Sequence, residues 1–395
     1  MEVACLGMGV VSSIGNSVEE FRKTLHRCES GVDRLSGYAS KFTIYGAEIK
    51  GSFSKNKFFD IAEMALEEAL NDAGLEISQI RKSKNVGLVF GTSLGNIASK
   101  EAHIKEMKYC KSENQNDDNS IDGLLGQTAS DLCRLHNIYG PSYTVTNTCA
   151  SGINAISIGC QLITSGQVDI CLVGGADILG EFIITGMNSL KALSRNSQLK
   201  PFGAERDGII LGESAGFLVL ADSKYVKKAC YGVFTGYAIT NDAKHLTSPD
   251  EEALGLISAI TQSLTMGNLK VEDIDGIFCC GTGTKYNDSS QVVAINKVFG
   301  DCMENKIITT IKPYIGHTLG ASGIVESIGA IIMMEDGNIV PLGKSYSVDS
   351  ALDKIPLLFQ PKKHELLKAI LLSSGFTGVN GALVIEKRIQ DNGKS

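Results

Sequence analysis

The chain has 395 residues, enough for two ordinary domains or one large α/β body with a sizeable core. Hydrophobic residues at 43% and charged residues at 21% exclude global disorder, and a net charge of −7 with no basic run longer than a pair excludes the footprint of a nucleic-acid binder. No apolar stretch reaches the roughly 18 residues that cross a bilayer, and no charged leader opens the chain, so a cytoplasmic protein without a membrane span is expected.

In chain order, Ser17 and Glu20 form a capping box at the head of an amphipathic helix. Ile61, Ala65, Leu66, Ala69 and Leu70 then make the apolar stripe of a second helix that stops at Gly74. Val86 to Phe90, Ile170 to Val173, Gly216 to Leu220, Ile274 to Cys279 and Ala369 to Leu372 read as buried strands. Strands alternating with helical periodicity predict an α/β protein with covered sheets. The eleven cysteines show no CxxC or Cys/His ligand spacing, which suits reduced thiols and gives no metal site. Forty-three glycines against seven prolines mark many tight turns and close backbone approaches.

An internal repeat organises these elements. The series Leu75-x4-Ile80, strand, Gly91-Thr92 recurs as Leu269-x4-Ile274, strand, Gly281-Thr282. Ala150-Ser151-Gly152-Ile153 opens an apolar helix that leads to Ser165-Gly166, and Ala321-Ser322-Gly323-Ile324 opens one that leads to Asp336-Gly337. Two similar halves are therefore expected, residues 1–222 and 223–395, with a surface turn at Ala221-Asp222-Ser223-Lys224 after a strand ending near Leu220.

Asn147-Thr148-Cys149-Ala150-Ser151-Gly152 places a cysteine between the extended run Tyr143 to Thr146 and a small-residue helix start. An isolated cysteine would read as a buried core thiol. At a helix N-terminus, however, the dipole and free N–H groups favour thiolate, so a nucleophile is the equal alternative. In the second half, Lys312-Pro-Tyr-Ile-Gly316-His317 precedes the matching helix, which carries Glu326 in its apolar face. Pseudo-symmetry would bring the His317 loop to the Cys149 loop, and Glu326 calls for a partner, with Lys312 the nearest cation. A structural ion pair and a catalytic one are both open for these two. Gly281-Thr282-Gly283-Thr284 lacks a P-loop arrangement and offers hydroxyls suited to amides. Ser374-Gly375-Phe376-Thr377-Gly378, after the final expected strand, is another glycine-rich loop with free N–H groups.

Taken in this order the motifs resemble the β-ketoacyl-acyl carrier protein synthases, elongating condensing enzymes of the thiolase superfamily. The resemblance runs from Gly7-Met8-Gly9-Val10-Val11-Ser12 through Pro201-Phe202, Arg206-Asp207-Gly208, Gly212-Glu213-x-Ala215-Gly216 and Asp242-Ala243-x-His245-x-Thr247-Ser248-Pro249 to Gly375-Phe376. It implies a duplicated five-layer αβαβα body with the active site between the halves. Cys149 would be the nucleophile, with the N–H groups of Cys149 and Phe376 as oxyanion hole and the Phe376 side chain as gate. Thr282, Thr284 and His245 would bind substrate, His317 would stabilise an enolate, and Lys312 and Glu326 would organise its surroundings.

No bound cofactor is implied. Substrates would arrive on the 4'-phosphopantetheine arm of acyl carrier protein, with Lys55, Lys57, Arg195 and Lys200 as a docking patch for that acidic partner. A homodimer, or a heterodimer with a related ketosynthase, is expected. The sequence departs from the family pattern at Cys280, where a histidine is expected before the Gly-Thr-Gly-Thr motif, and in the polar segment Lys111 to Ser120. The resemblance thus implies a condensing enzyme of fatty-acid or polyketide-type synthesis. The alternatives are an acyltransferase of the same fold with impaired decarboxylation, and a partner subunit of a heterodimeric ketosynthase. A degradative thiolase is disfavoured because no cysteine follows Cys302.

Overall fold

A computed structural model describes residues 2–38, 42–54, 56–76, 85–101, 125–223 and 230–388. Lys55, Ile80, the Lys111 to Ser120 segment and Lys224 lie outside the described residues.

Ten strands build one large sheet: β1 (Val3–Ser12), β2 (Val86–Gly91), β3 (Ser142–Val145), β4 (Ile170–Asp177), β5 (Ser214–Asp222), β6 (Gly232–Asn241), β7 (Gly276–Phe278), β8 (Ile307–Thr309), β9 (Lys368–Ser374) and β10 (Val379–Glu386). Their spatial order is β8-β7-β9-β10-β6-β1-β5-β4-β2-β3. The order is a reflection: outward from the β6/β1 seam, the first, fifth, fourth, second and third strand of each group of five follow one another. Strand directions repeat as well. In each group the first–fifth and fifth–fourth pairs are antiparallel, while the fourth–second and second–third pairs are parallel.

The helices used below are α1 (Val18–His26), α2 (Lys57–Asp72), α3 (Thr128–His136), α4 (Ser151–Thr164), α5 (Glu181–Ser189), α6 (Leu254–Met266), α7 (Lys285–Phe299) and α8 (Ser322–Asp336). Side chains alternate across the strands and sort the core against the large sheet into three compartments. Val10, Leu218, Leu220, Leu383 and Ile385 join α4 and α8 in the central one. Val11, Phe217 and Val219 face α2, while Ala382, Val384 and Ile370 face α6 and α7. The α4–α8 pair thus forms a middle layer, with a half-sheet on each side and outer helices beyond.

The repeated Ala-Ser-Gly-Ile tetrapeptide has its physical reason here. A Cβ on Gly152 would lie 2.8 Å from the Gly320 carbonyl oxygen, and one on Gly323 would lie 2.2 Å from the Ile153 nitrogen. The two central helix starts meet backbone to backbone, which only glycine allows.

The Ser17 cap forms, its Oγ accepting from the Glu20 N–H, although the Glu20 carboxylate reaches the Asn16 N–H rather than that of Ser17. The α2 stripe is buried as expected, with Gly74 just past the helix at φ 66°. Three strand expectations are corrected. Ile274 to Cys279 shortens to Gly276–Phe278, because Ile274 closes a 3-10 turn. The strand ending near Leu220 continues through Ala221 and Asp222, which pair with Ala4 and Val3. Ala369 to Leu372 is not the final strand, since β10 follows and pairs with β9 antiparallel. No helix among the described residues is long and apolar enough to cross a membrane.

Candidate active site

A cavity of about 360 Å³ opens between the two groups of strands, and Cys149, His317, Thr282, Thr284, Ser374 and Phe376 all line it. Leaving β3, the chain enters a 3-10 turn, Thr148–Ala150, that runs straight into α4. Thr148 adopts φ 51°, a left-handed conformation that β-branched residues avoid. Ser151 clamps the turn: its Oγ donates to the Thr148 carbonyl at 2.6 Å and accepts from the Asn147 N–H at 2.8 Å. The second half closes over the turn. Ser373 Oγ donates to the Cys149 carbonyl at 3.3 Å, and Thr148 Oγ1 donates to the Phe376 carbonyl at 3.0 Å.

Burial pushes the Cys149 thiol up to about 12, reinforced by the neighbouring Cys280 thiol and opposed by the Lys312 charge. This corrects the expectation of a thiolate: the local helix start favours one, but enclosure by the other half outweighs it. Cys149 therefore rests as a thiol. Alkylation of Cys149 by iodoacetamide should therefore keep accelerating from pH 7 to pH 10, about tenfold per unit. A plateau below pH 8 would restore the thiolate.

His317 follows a single helical turn, Lys312–Ile315, and a glycine at φ 69°. Its N–H donates to the Ile210 carbonyl at 2.6 Å. The ring Nδ1 accepts from the Leu319 N–H at 3.1 Å and lies 3.3 Å from Ser322 Oγ. With Nδ1 so occupied, the ring proton is assigned to Nε2. Burial, helped by the Lys312 charge, lowers the imidazole pKa to about 3, so the ring is neutral and Nε2–H is a donor.

Lys312 and Glu326 form a buried ion pair and do not line the cavity. Burial works against the Lys312 ammonium, yet the adjacent Cys280 and Glu326 outweigh it and hold its pKa above the usual lysine range. Cys280 also stands behind the wall. Its N–H donates to Gln291 Oε1 at 3.0 Å, and its thiol faces the Ser374 carbonyl at 3.9 Å. Burial pushes that thiol up too. Thr282 and Thr284 stand with their hydroxyls 3.0 Å apart, on a loop held by the buried Asp288, which accepts from the Gly283 and Phe202 N–H groups.

The family model for Beta-ketoacyl synthase, N-terminal domain, matches residues 1–225, and that for Beta-ketoacyl synthase, C-terminal domain, matches residues 231–344. The chain belongs to the β-ketoacyl synthase family. It is 28% identical to a 3-oxoacyl-[acyl-carrier-protein] synthase 2 of Coxiella burnetii and 26% identical to one of Vibrio harveyi, over 98% of each chain. Among solved structures it is similar to the ishigamide ketosynthase/chain length factor, with TM-score 0.90 and 26% identity over 98% of this chain and 99% of the other. It is also similar to a type II polyketide synthase acyl-carrier protein in complex with its ketosynthase, with TM-score 0.90 and 25% identity over 98% and 99% of the two chains. These relatives make this protein a thiolase-fold condensing enzyme of the acyl-transferring class.

Not every expected residue reaches the cavity of this β-ketoacyl synthase. His245 is exposed and does not line it; its Nδ1 accepts from the Thr247 and Ser248 N–H groups and so shapes the Thr247-Ser248-Pro249 wall. Lys57 turns inward to the buried Glu213 at 2.6 Å, Lys200 pairs with Glu205 at 2.7 Å, and Arg195 stacks on Phe42. The expected docking patch is therefore largely committed to partners within the chain.

Three contributors went unread. Buried Asp177 accepts from Thr92 Oγ1 and from the Ser93, Leu94 and Gly320 N–H groups, tying the end of β4 to the turn after His317. A carboxylate ending an otherwise apolar strand was the available signal. Lys191 and Lys285 stand exposed on the cavity lining, and neither forms an ion pair among the described residues. Lys285 directly follows the Gly-Thr-Gly-Thr motif.

Proposed function

We propose that Cys149 takes an acyl group from the 4'-phosphopantetheine arm of acyl carrier protein and that the chain is extended with malonyl-acyl carrier protein, in fatty-acid or polyketide-type synthesis. The observation that carries this reading is the meeting of a thiol, a neutral imidazole donor and paired hydroxyls in one cavity. In the first step the Cys149 sulfur attacks the acyl thioester, and the old C–S bond breaks. The thiol proton ends on the departing pantetheine sulfur. Negative charge on the carbonyl oxygen is received by the Cys149 and Phe376 N–H groups.

In the second step the malonyl C–C bond breaks, releasing carbon dioxide and leaving the electron pair as an enolate. His317 Nε2–H donates to its oxygen. The enolate carbon bonds to the acyl carbonyl, and Cys149 leaves and recovers a proton. Thr282 and Thr284 hold the arm by its amides, and the Lys312–Glu326 pair fixes the local field behind Cys280. Incubation with acyl- and malonyl-acyl carrier protein, read by intact mass and product analysis, tests the proposal. One acyl mass on the protein followed by a β-ketoacyl product is expected. Acylation without extension would favour an acyltransferase with impaired decarboxylation, a reading that Cys280 specifically supports.

Division at residues 222 and 223 is supported by the reflected strand order. A homodimer, or a heterodimer with a related ketosynthase, is supported by the relatives that pair with a chain length factor and by Tyr139 and Tyr143, exposed on and beside edge strand β3. The free state of every described cysteine accords with work in the cytoplasm.

For the acidic carrier and its phosphate, Lys191 and Lys285 replace the patch read from sequence. Reversing both to glutamate should raise KM for carrier-bound substrate about tenfold at low salt, leave kcat within about twofold, and lose its effect as salt rises. An unchanged KM would remove the two lysines from the docking surface.

A further inference from the structure

We propose that Thr148 is a positioning residue, a latch that fastens the Phe376 loop over the nucleophile. The inference rests on the reading of Phe376 as the gate above Cys149. Thr148 immediately precedes Cys149, and its backbone sits at φ 51°. A β-branched residue is a poor choice there, since glycine, asparagine or aspartate would meet the conformation at less strain. What threonine adds is the hydroxyl. Thr148 Oγ1 donates to the Phe376 carbonyl at 3.0 Å, joining the residue before the nucleophile to the residue whose side chain lines the cavity.

The fit around this bond is close. A Cβ on Gly375 would lie 2.3 Å from Thr148 Oγ1, so the loop approaches the hydroxyl to a distance that only glycine permits. On the far side of Phe376, Thr377 stands at φ 70°, a second β-branched residue in the left-handed region. Its N–H donates to the Leu246 carbonyl at 2.6 Å, and the Gly375 N–H donates to the Val379 carbonyl at 2.8 Å. The loop is thus anchored at both flanks, and the Thr148 hydroxyl holds the peptide between them. Moving Phe376 aside for an acyl chain breaks that bond. Strained backbone on each side lowers the cost of the movement.

The experiment compares Thr148→Ser, which keeps the hydroxyl, with Thr148→Val and Thr148→Ala, which lose it. Cys149 alkylation is followed by peptide mass mapping with a small reagent, iodoacetamide, and a bulky aryl maleimide. Losing one hydrogen bond of ordinary strength should raise the bulky-to-small rate ratio about fivefold in the valine and alanine variants, while the serine variant stays within about twofold of the parent. A ratio unmoved in folded Thr148→Ala, or a serine variant that behaves like the alanine one, would overturn the latch. If valine prevents folding, the alanine and serine pair decides alone. No carrier protein is used, so this result stands apart from success or failure of acyl transfer.

Discussion

Cys149→Ala should abolish the single acyl mass that acyl carrier protein substrate adds to the parent. Alanine removes the sulfur and little else. The turn is held through the Cys149 carbonyl, which accepts from Ser373, and through Ser151, so neither fastening involves the thiol. The variant should keep the parent's melting temperature to within a few degrees, because loss of one sulfur facing a cavity leaves little unfilled core. An acyl mass persisting in the folded alanine variant would place the nucleophile elsewhere. Cys280, the other thiol beside the site, would then be the first residue to map.

Cys280→His should raise malonyl decarboxylation while leaving acylation within a few-fold. In the proposed mechanism acyl transfer leans on backbone N–H groups, whereas the enolate needs side-chain donors, and among the described residues His317 is the one imidazole that lines the cavity. A thiol donates weakly, and the Cys280 thiol faces the Ser374 carbonyl. Restoring one oxyanion-type donor is worth roughly 10² to 10³ in rate. The imidazole is larger than the thiol and enters a site only 1% exposed, so circular dichroism and the acylation rate must accompany the measurement. If the variant folds and acylates normally but decarboxylates no faster than the parent, the idea of a missing donor fails.

What could be read in advance was what lies close in sequence. Cys149, His317, Thr282, Thr284 and Phe376 each sit in a short glycine- and hydroxyl-rich turn whose chemistry is local. The repeated tetrapeptide marked the two helices whose backbones touch. Misreadings came from contacts across the chain. Lys57 looked like a surface cation because its partner, Glu213, is 156 residues away. His245 lies within a motif that lines the cavity, but its ring turns to the loop's own N–H groups. The thiolate expectation counted the helix beginning at Ser151 and could not count the enclosure supplied by Ser373 and Phe376. Strand β10 was missed because Asn380 and Gly381 interrupt its apolar run, and their place is set by pairing with Ser374 and Ser373.

That enclosure also gives the protein a history. Cys149 leaves the ribosome more than two hundred residues before Phe376, and at ordinary rates of synthesis the interval is on the order of tens of seconds. For most of it the second group of strands is incomplete, and until α8 is made the apolar face that α4 turns toward it is uncovered. The thiol then lacks the cover that Ser373 and the Phe376 loop give its turn in the finished chain. Only when β9 and the Phe376 loop dock is the turn that carries it fastened from both halves.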